Sequence, residues 1–297
     1  MNAPREAPPA PGTAQGARPG QPPAPRRWIC SADDFAFDAG AVEGILALIE
    51  RGRVTATSAL VDAPLWPTAA AELRAQPEAG RADVGLHLNF TQGFPQRKSP
   101  VWPLGELVLR CRFGAVPRSA IRSGIERQLD AFEDAMGRRP DYVDGHQHVH
   151  QFALLRDELL GALARRYGRD LPWLRSTRPP PLVRDLKARL IAALGDAQLR
   201  RRAQAARIPV SDWLVGVYGF ADSAQSYRER LQAWLRAGPE GAVLMCHPSS
   251  RPQPGDPIAA ARGIEFEVLR SDEFAADLAL AGVVLERGSS LLAQAGA

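Results

Sequence analysis

Three of the chain's five histidines and a carboxylate fall within nine residues, Tyr142-Val143-Asp144-Gly145-His146-Gln147-His148-Val149-His150. Side chains alternate between the two faces of an extended backbone. Asp144, His146, His148 and His150 are therefore expected on one face, and Gly145, Gln147 and Val149 on the other. Burying such groups unpaired costs roughly 1–3 kcal/mol each. A metal ion, or water held by one, would satisfy them together, so the stretch points to metal-assisted chemistry.

The other two histidines close short apolar runs: His87 in Asp83-Val84-Gly85-Leu86-His87 and His247 in Val243-Leu244-Met245-Cys246-His247. Runs of this kind suit buried strands, which places all five histidines at one end of a sheet or barrel. A lone histidine at a strand end is usually structural; three such places in one chain argue for a site. The first strand candidate, Trp28-Ile29-Cys30, runs into Ser31-Ala32-Asp33-Asp34-Phe35. Adjacent aspartates at a strand end point to opposite sides unless the backbone turns, so one can hold a metal while the other takes a proton from water.

The elements that must position these groups alternate between short apolar runs and longer amphipathic ones, the pattern of βα units around a parallel sheet. Further strands are expected over 54–61, 84–88, 173–175, 213–217, 242–246 and 283–285. Helices are expected over 39–51, with Asp38 as cap and Gly52 as stop, and over 68–75, 154–167, 226–237 and 264–269. Residues 118–136 form another, with Ile121, Ile125, Leu129 and Phe132 on one stripe, and one or two more fill 183–206. Residues 90–117, rich in Gly, Pro and aromatics, are expected as a long loop or insertion over one rim, where a substrate lid would sit. Seven or eight such repeats suit an α/β fold, a closed or nearly closed (β/α) barrel with its chemistry at the C-terminal strand ends.

A chain of 297 residues is within the range of a single barrel domain, here 28–297. Residues 1–27 hold eight of the 26 prolines and almost no large apolar side chain, and are expected as a disordered extension without the apolar core of a secretory signal. The formal charge of +4 lies mostly there: Arg5, Arg18, Arg26 and Arg27 against Glu6 leave 33 basic and 32 acidic residues elsewhere. Nucleic-acid binding thus gains no support from charge. Cys30, Cys111 and Cys246 are odd in number and widely spaced, which argues for reduced thiols in a cytoplasmic protein. No apolar run reaches the ~18 residues of a transmembrane helix.

In their order along the chain, ADDF, TATSALVD, VGLHLN, YVDGHQHVH and MCHPS resemble the YdjC/ChbG family of carbohydrate deacetylases and its relatives in hopanoid biosynthesis, from about Trp28 to Leu285. The resemblance implies a barrel of the glycoside hydrolase/deacetylase kind, a homodimer, and a divalent metal that activates water to deacetylate an N-acetylated sugar. Carried onto this chain, it makes Asp34, His87 and His146 the metal ligands, Asp33 the general base, and His247 a group acting on the leaving amine. Asp144, His148, His150 and Arg175 are then candidates to orient these groups or to bind substrate. Two imidazoles favour Zn, Mn or Co over Mg, whereas the resemblance implies Mg. The family has Gly after ADDF where this chain has Ala36; a positive φ there would strain the turn by about 1 kcal/mol. Other metal-dependent hydrolases, such as an amidohydrolase or phosphoesterase with two ions, and a silent sugar-binding protein are the alternatives, with a Cys246 nucleophile as a further one.

Overall fold

The computed structural model describes residues 24–77, 79–95 and 101–295. The tail expected over 1–27 lies outside the described residues as far as 23, whereas Arg26 and Arg27 already belong to the first strand. Arg26 donates to the carbonyls of Gly238, Leu235 and Ala281, tying the start of the first strand to the segments just before its neighbours Ala242–Cys246 and Val283–Leu285.

The strands, all parallel, are β1 (Arg26–Phe35), β2 (Ala56–Ala59), β3 (Asp83–Leu88), β4 (Tyr142–Gly145), β5 (Trp173–Leu174), β6 (Trp213–Val215), β7 (Ala242–Cys246) and β8 (Val283–Leu285). Their order is β5-β4-β3-β2-β1-β7-β6, with β8 pairing the start of β1. A parallel bridge from Leu174 to Val210, just ahead of β6, joins the two edges. The result is a curled parallel sheet with outer helices, the (β/α) barrel architecture expected from the alternating pattern. Parallel strands are covered on both faces and so read as continuous apolar runs. Ile29, Cys30, Leu86, Val143, Val243 and Leu244 are accordingly fully buried.

The helices among the described residues are α1 (Ala39–Glu50), α2 (Trp66–Ala75), α3 (Leu104–Phe113), α4 (Arg118–Met136), α5 (Ala153–Tyr167) and α6 (Leu186–Ala193). After these come α7 (Asp196–Ala205), α8 (Ala224–Ala237), α9 (Ala259–Arg270), α10 (Asp272–Leu280) and α11 (Gly288–Ala295). Asp38 caps α1 by accepting from the Ala41 N–H at 2.6 Å, and Gly52 follows at φ 65°, as the sequence predicts. The stripe Ile121, Ile125, Leu129 and Phe132 is fully buried on α4.

Two expectations need correction. The 90–117 segment is not all loop: Pro103 starts α3 and Gly114, at φ 69°, ends it, burying Leu107 and Cys111. The strand expected through His150 stops at Gly145, and His146–Gln151 form a 3-10 turn in which Gln147 and His148 adopt φ of 52° and 61°. The alternation of one face through Asp144, His146, His148 and His150 therefore does not exist. A Cβ on Gly145 would lie 2.9 Å from the His150 nitrogen, so the chain doubles back on itself where only glycine fits.

Candidate active site

The polar residues of the barrel gather at the C-terminal ends of β1 to β4 and the segment after β5. β1 does more than end there. Its register with β2 shifts between Ala32 and Phe35, and Asp34 and Ala36 take φ of 63° and 73°. This bulge turns the backbone between the two aspartates, so both carboxylates enter the barrel mouth but meet different partners. Aspartate tolerates the left-handed conformation better than alanine does, and the strain expected at Ala36 is present.

Asp34 Oδ1 faces two imidazoles, His87 Nε2 at 3.3 Å from β3 and His146 Nδ1 at 3.0 Å from the turn after β4. Its other oxygen accepts from Arg262 of α9 at 2.7 Å, and Arg262 in turn holds Asp256. Asp33, one residue back, is clamped by both guanidinium nitrogens of Arg175 at 2.5 and 2.8 Å. Arg175 also reaches Asp144 at 2.8 Å. Asp144 accepts from His87 Nδ1 at 2.7 Å, which fixes that ring with Nε2 toward Asp34. Ser58 of β2 braces the pair, 3.0 Å from His87 Nδ1 and 3.1 Å from Asp144. The chain Asp33, Arg175, Asp144, His87, Asp34, Arg262 is continuous and buried.

These contacts set the charges. Burial opposes ionisation of Asp33, yet Arg175, aided by His87 and His247, outweighs it and holds the carboxyl at about 2. Asp34 is likewise held well below the carboxylate range, burial being overcome by Arg262 and His146. For His87, burial opposes the charge but Asp144 and Asp33 win and lift the imidazole to about 10. His247 goes the other way: burial outweighs the pull of Asp33 and Asp34 and lowers it to about 4.

Two overlapping groups of possible ligands result, Asp34 with His87 and His146, and Asp33 with His87 and Asp144, each with its ligand atoms within 4.8 Å of one another. The carboxylates of the second are already neutralised by Arg175. The first offers one carboxylate and two imidazoles beside an open cavity, a donor set that fits a divalent cation with positions left over.

His148 and His150 do not join that cluster. His150 is fully buried and donates from Nε2 to the Arg175 carbonyl at 2.8 Å, supporting the backbone of the residue that clamps Asp33. His148 lines the cavity, and burial together with Arg175 keeps its imidazole well below the usual range. His247 reaches the cavity with Nε2 3.9 Å from Asp33, while its backbone N–H donates to Glu265. Burial, opposed by the His247 N–H and the Tyr218 hydroxyl, raises Glu265 to about 7. Cys246 is buried and its thiol is pushed well above the ordinary value by burial and by Cys30, which leaves no thiolate for a nucleophilic role. Sequence reasoning missed Arg262 and Glu265. Both lie on α9, beyond the MCHPS motif and outside any other, and nothing in Arg262-Gly263-Ile264-Glu265 marks them.

The cavity is about 1300 Å³, with Asp33, Asp34, His87, His146 and His247 in its lining and Phe37, Phe94 and Phe220 among its aromatic walls. The chain is thus a parallel α/β barrel that carries an acid–histidine cluster at its strand ends. The model of the YdjC-like protein family matches residues 27–280, and the chain belongs to that family. It is 28% identical over 273 residues to a chitooligosaccharide deacetylase of Klebsiella pneumoniae, covering 90% of this chain and 97% of that one. A carbohydrate deacetylase of Geobacillus stearothermophilus is 33% identical over 160 residues, 52% of this chain and 62% of that one. A solved structure from Enterococcus faecalis V583, provisionally named a cellobiose-phosphate cleavage protein, shares the fold at a TM-score of 0.68 and 24% identity, covering 91% of this chain and all of that one.

Proposed function

We propose that this protein is a carbohydrate deacetylase that hydrolyses the acetamide of an N-acetylated amino sugar, in an oligosaccharide or a glycolipid, with Asp33 as general base. The convergence of Asp34, His87 and His146 beside an Arg-clamped Asp33, at the floor of a cavity that admits a sugar, carries this reading. The names of the relatives point the same way.

A divalent cation held by Asp34, His87 and His146 would polarise the acetyl carbonyl and make water acidic enough to attack it. The remaining work falls to side chains. Asp33, kept ionised by Arg175, accepts a proton as the water oxygen bonds to the carbonyl carbon. The bidentate clamp leaves the carboxylate little freedom to rotate, so its basic oxygen stays aimed at one place. His247, neutral at rest and 3.9 Å from Asp33, receives the proton that Asp33 took from the water and gives it to the nitrogen as the carbon–nitrogen bond breaks. Acetate and a free amine result. Arg262 and Asp144 hold Asp34 and His87 in register from behind.

The buried, unpaired thiols of Cys30, Cys111 and Cys246 support a reducing compartment. The test of function is acetate release from N-acetylated chito-oligosaccharides. Asp33→Asn is expected to keep its metal and lose turnover, and His146→Ala to lose the metal; metal retained in His146→Ala would contradict the assignment.

A further inference from the structure

The helix α6 packs on the core through Ala188 and Ile191 yet turns its leucines outward. Its small Ala188 is buried, while Leu186 and Leu190 are 70% and 60% exposed. Leu182 just before it and Leu194 just after it are 73% and 43% exposed. The four leucines are spaced by four residues, which puts those of the helix on one stripe. Arg189 flanks that stripe one residue from Leu190 and Arg184 precedes the helix, whereas the Lys187 ammonium turns to the cavity, donating to the Tyr218 carbonyl at 2.6 Å beside the Phe220 ring. An apolar stripe turned outward is the reverse of the usual amphipathic arrangement.

The charge of the surrounding segment is equally uneven. Residues 178–207 hold eight basic and two acidic residues, a net +6, in a chain whose formal total is +4. Arg200 and Arg202 are engaged with Asp212 and Asp157, but Arg184 and Arg189, both exposed, have no acidic partner among the described residues. The same helix borders the mouth of the cavity, which Lys187, Ile191 and Leu194 line.

We propose that this leucine stripe and its flanking cations form a docking surface for an anionic lipid bilayer, against which the mouth of the cavity rests. Apolar side chains in the middle and Lys or Arg at the flanks are what a helix lying in a membrane interface requires: the leucines enter the acyl boundary and the cations reach the headgroups. A nucleic acid would engage the cations and leave four leucines in water. Docking of this kind is independent of the deacetylase reading.

The test is sedimentation of the full-length protein with phosphatidylcholine vesicles containing 30% phosphatidylglycerol, compared with pure phosphatidylcholine. Binding is expected to the anionic vesicles, to weaken with added salt, and to fall at least about tenfold in Leu186→Ser/Leu190→Ser. Arg184→Glu/Arg189→Glu is expected to lose the preference for anionic vesicles. Circular dichroism melts establish that each variant is folded, as exposed positions lead one to expect, and light scattering without vesicles reads the oligomeric state. Wild-type protein that ignores both vesicle types overturns the proposal. So does a wild-type dimer that the leucine variant converts to a monomer with no vesicle binding by either, which would make the stripe a subunit interface.

Discussion

Replacing Arg175 with Met removes the guanidinium that two buried carboxylates share. Arg175 is fully buried, lies 2.5 and 2.8 Å from the oxygens of Asp33, and 2.8 Å from Asp144. Methionine fills similar volume but leaves both carboxylates to face burial with less compensation. Breaking a buried ion pair from one side costs about 3–5 kcal/mol, which for a domain of this size lowers the melting temperature by roughly 10 °C. The same change acts on chemistry. Burial alone would raise the Asp33 carboxyl, and Arg175 is the foremost group opposing it, so the variant's Asp33 moves up from about 2. Acetate release measured across pH should show the acidic limb of kcat/KM displaced to higher pH, with Arg175→Lys restoring part of the shift. An Arg175→Met protein that melts within 2 °C or so of the parent, with its acidic limb unmoved, would refute the idea that this guanidinium sets the state of Asp33.

Three further outcomes follow from the same geometry. Ala36→Gly relieves a left-handed residue and is expected to stabilise the protein by about 1 kcal/mol, read as a rise in melting temperature. Cation binding has to displace the proton that Asp144 and Asp33 keep on His87, so titration calorimetry in buffers of different ionisation heat is expected to show proton release and an affinity that rises with pH. For chelator-treated protein, His87 is raised from 6.5 to about 10, so its stabilisation is complete below 6.5 and lost as pH climbs through 10. Glu265, raised from 4.5 to about 7, likewise favours the fold below 4.5 and less as pH passes 7. Asp33, lowered from 3.8 to about 2, stabilises above 3.8 and fails as pH falls through 2. His247 and His150, lowered from 6.5 to about 4, favour the fold above 6.5 and lose that contribution as pH falls through 4. Melts of the chelated protein should therefore rise from pH 4, peak at about pH 6–7 and decline toward 9; a maximum at pH 4 or at pH 9 would contradict these assignments.

How far the sequence led depended on the range of the interactions involved. The strands could be read because parallel strands buried on both faces are short apolar runs, and His87 stands where such a run ends. The cap at Asp38 and the stop at Gly52 are local chemistry and were legible for that reason. Alternation failed at Gly145, because it assumes an extended chain. Gln147 and His148 turn left-handed without any glycine to announce it, and the signal lay in Gly145, which allows His150 to fold against it. The helix Leu104–Phe113 hid in a segment whose glycines and aromatics resemble loop, although Gly114 marks its end. Arg262 could not be foreseen, since its partner Asp34 is 228 residues away and only the packed barrel brings them together.

The proposed reaction depends on one divalent cation held by Asp34, His87 and His146. It is tested most directly by adding Zn, Mn, Co or Mg stepwise to chelator-treated protein and measuring acetate from an N-acetylated chito-oligosaccharide. No release is expected without metal, and saturation at about one equivalent. Full activity without metal, or saturation only at about two equivalents as a two-ion hydrolase would show, would contradict it.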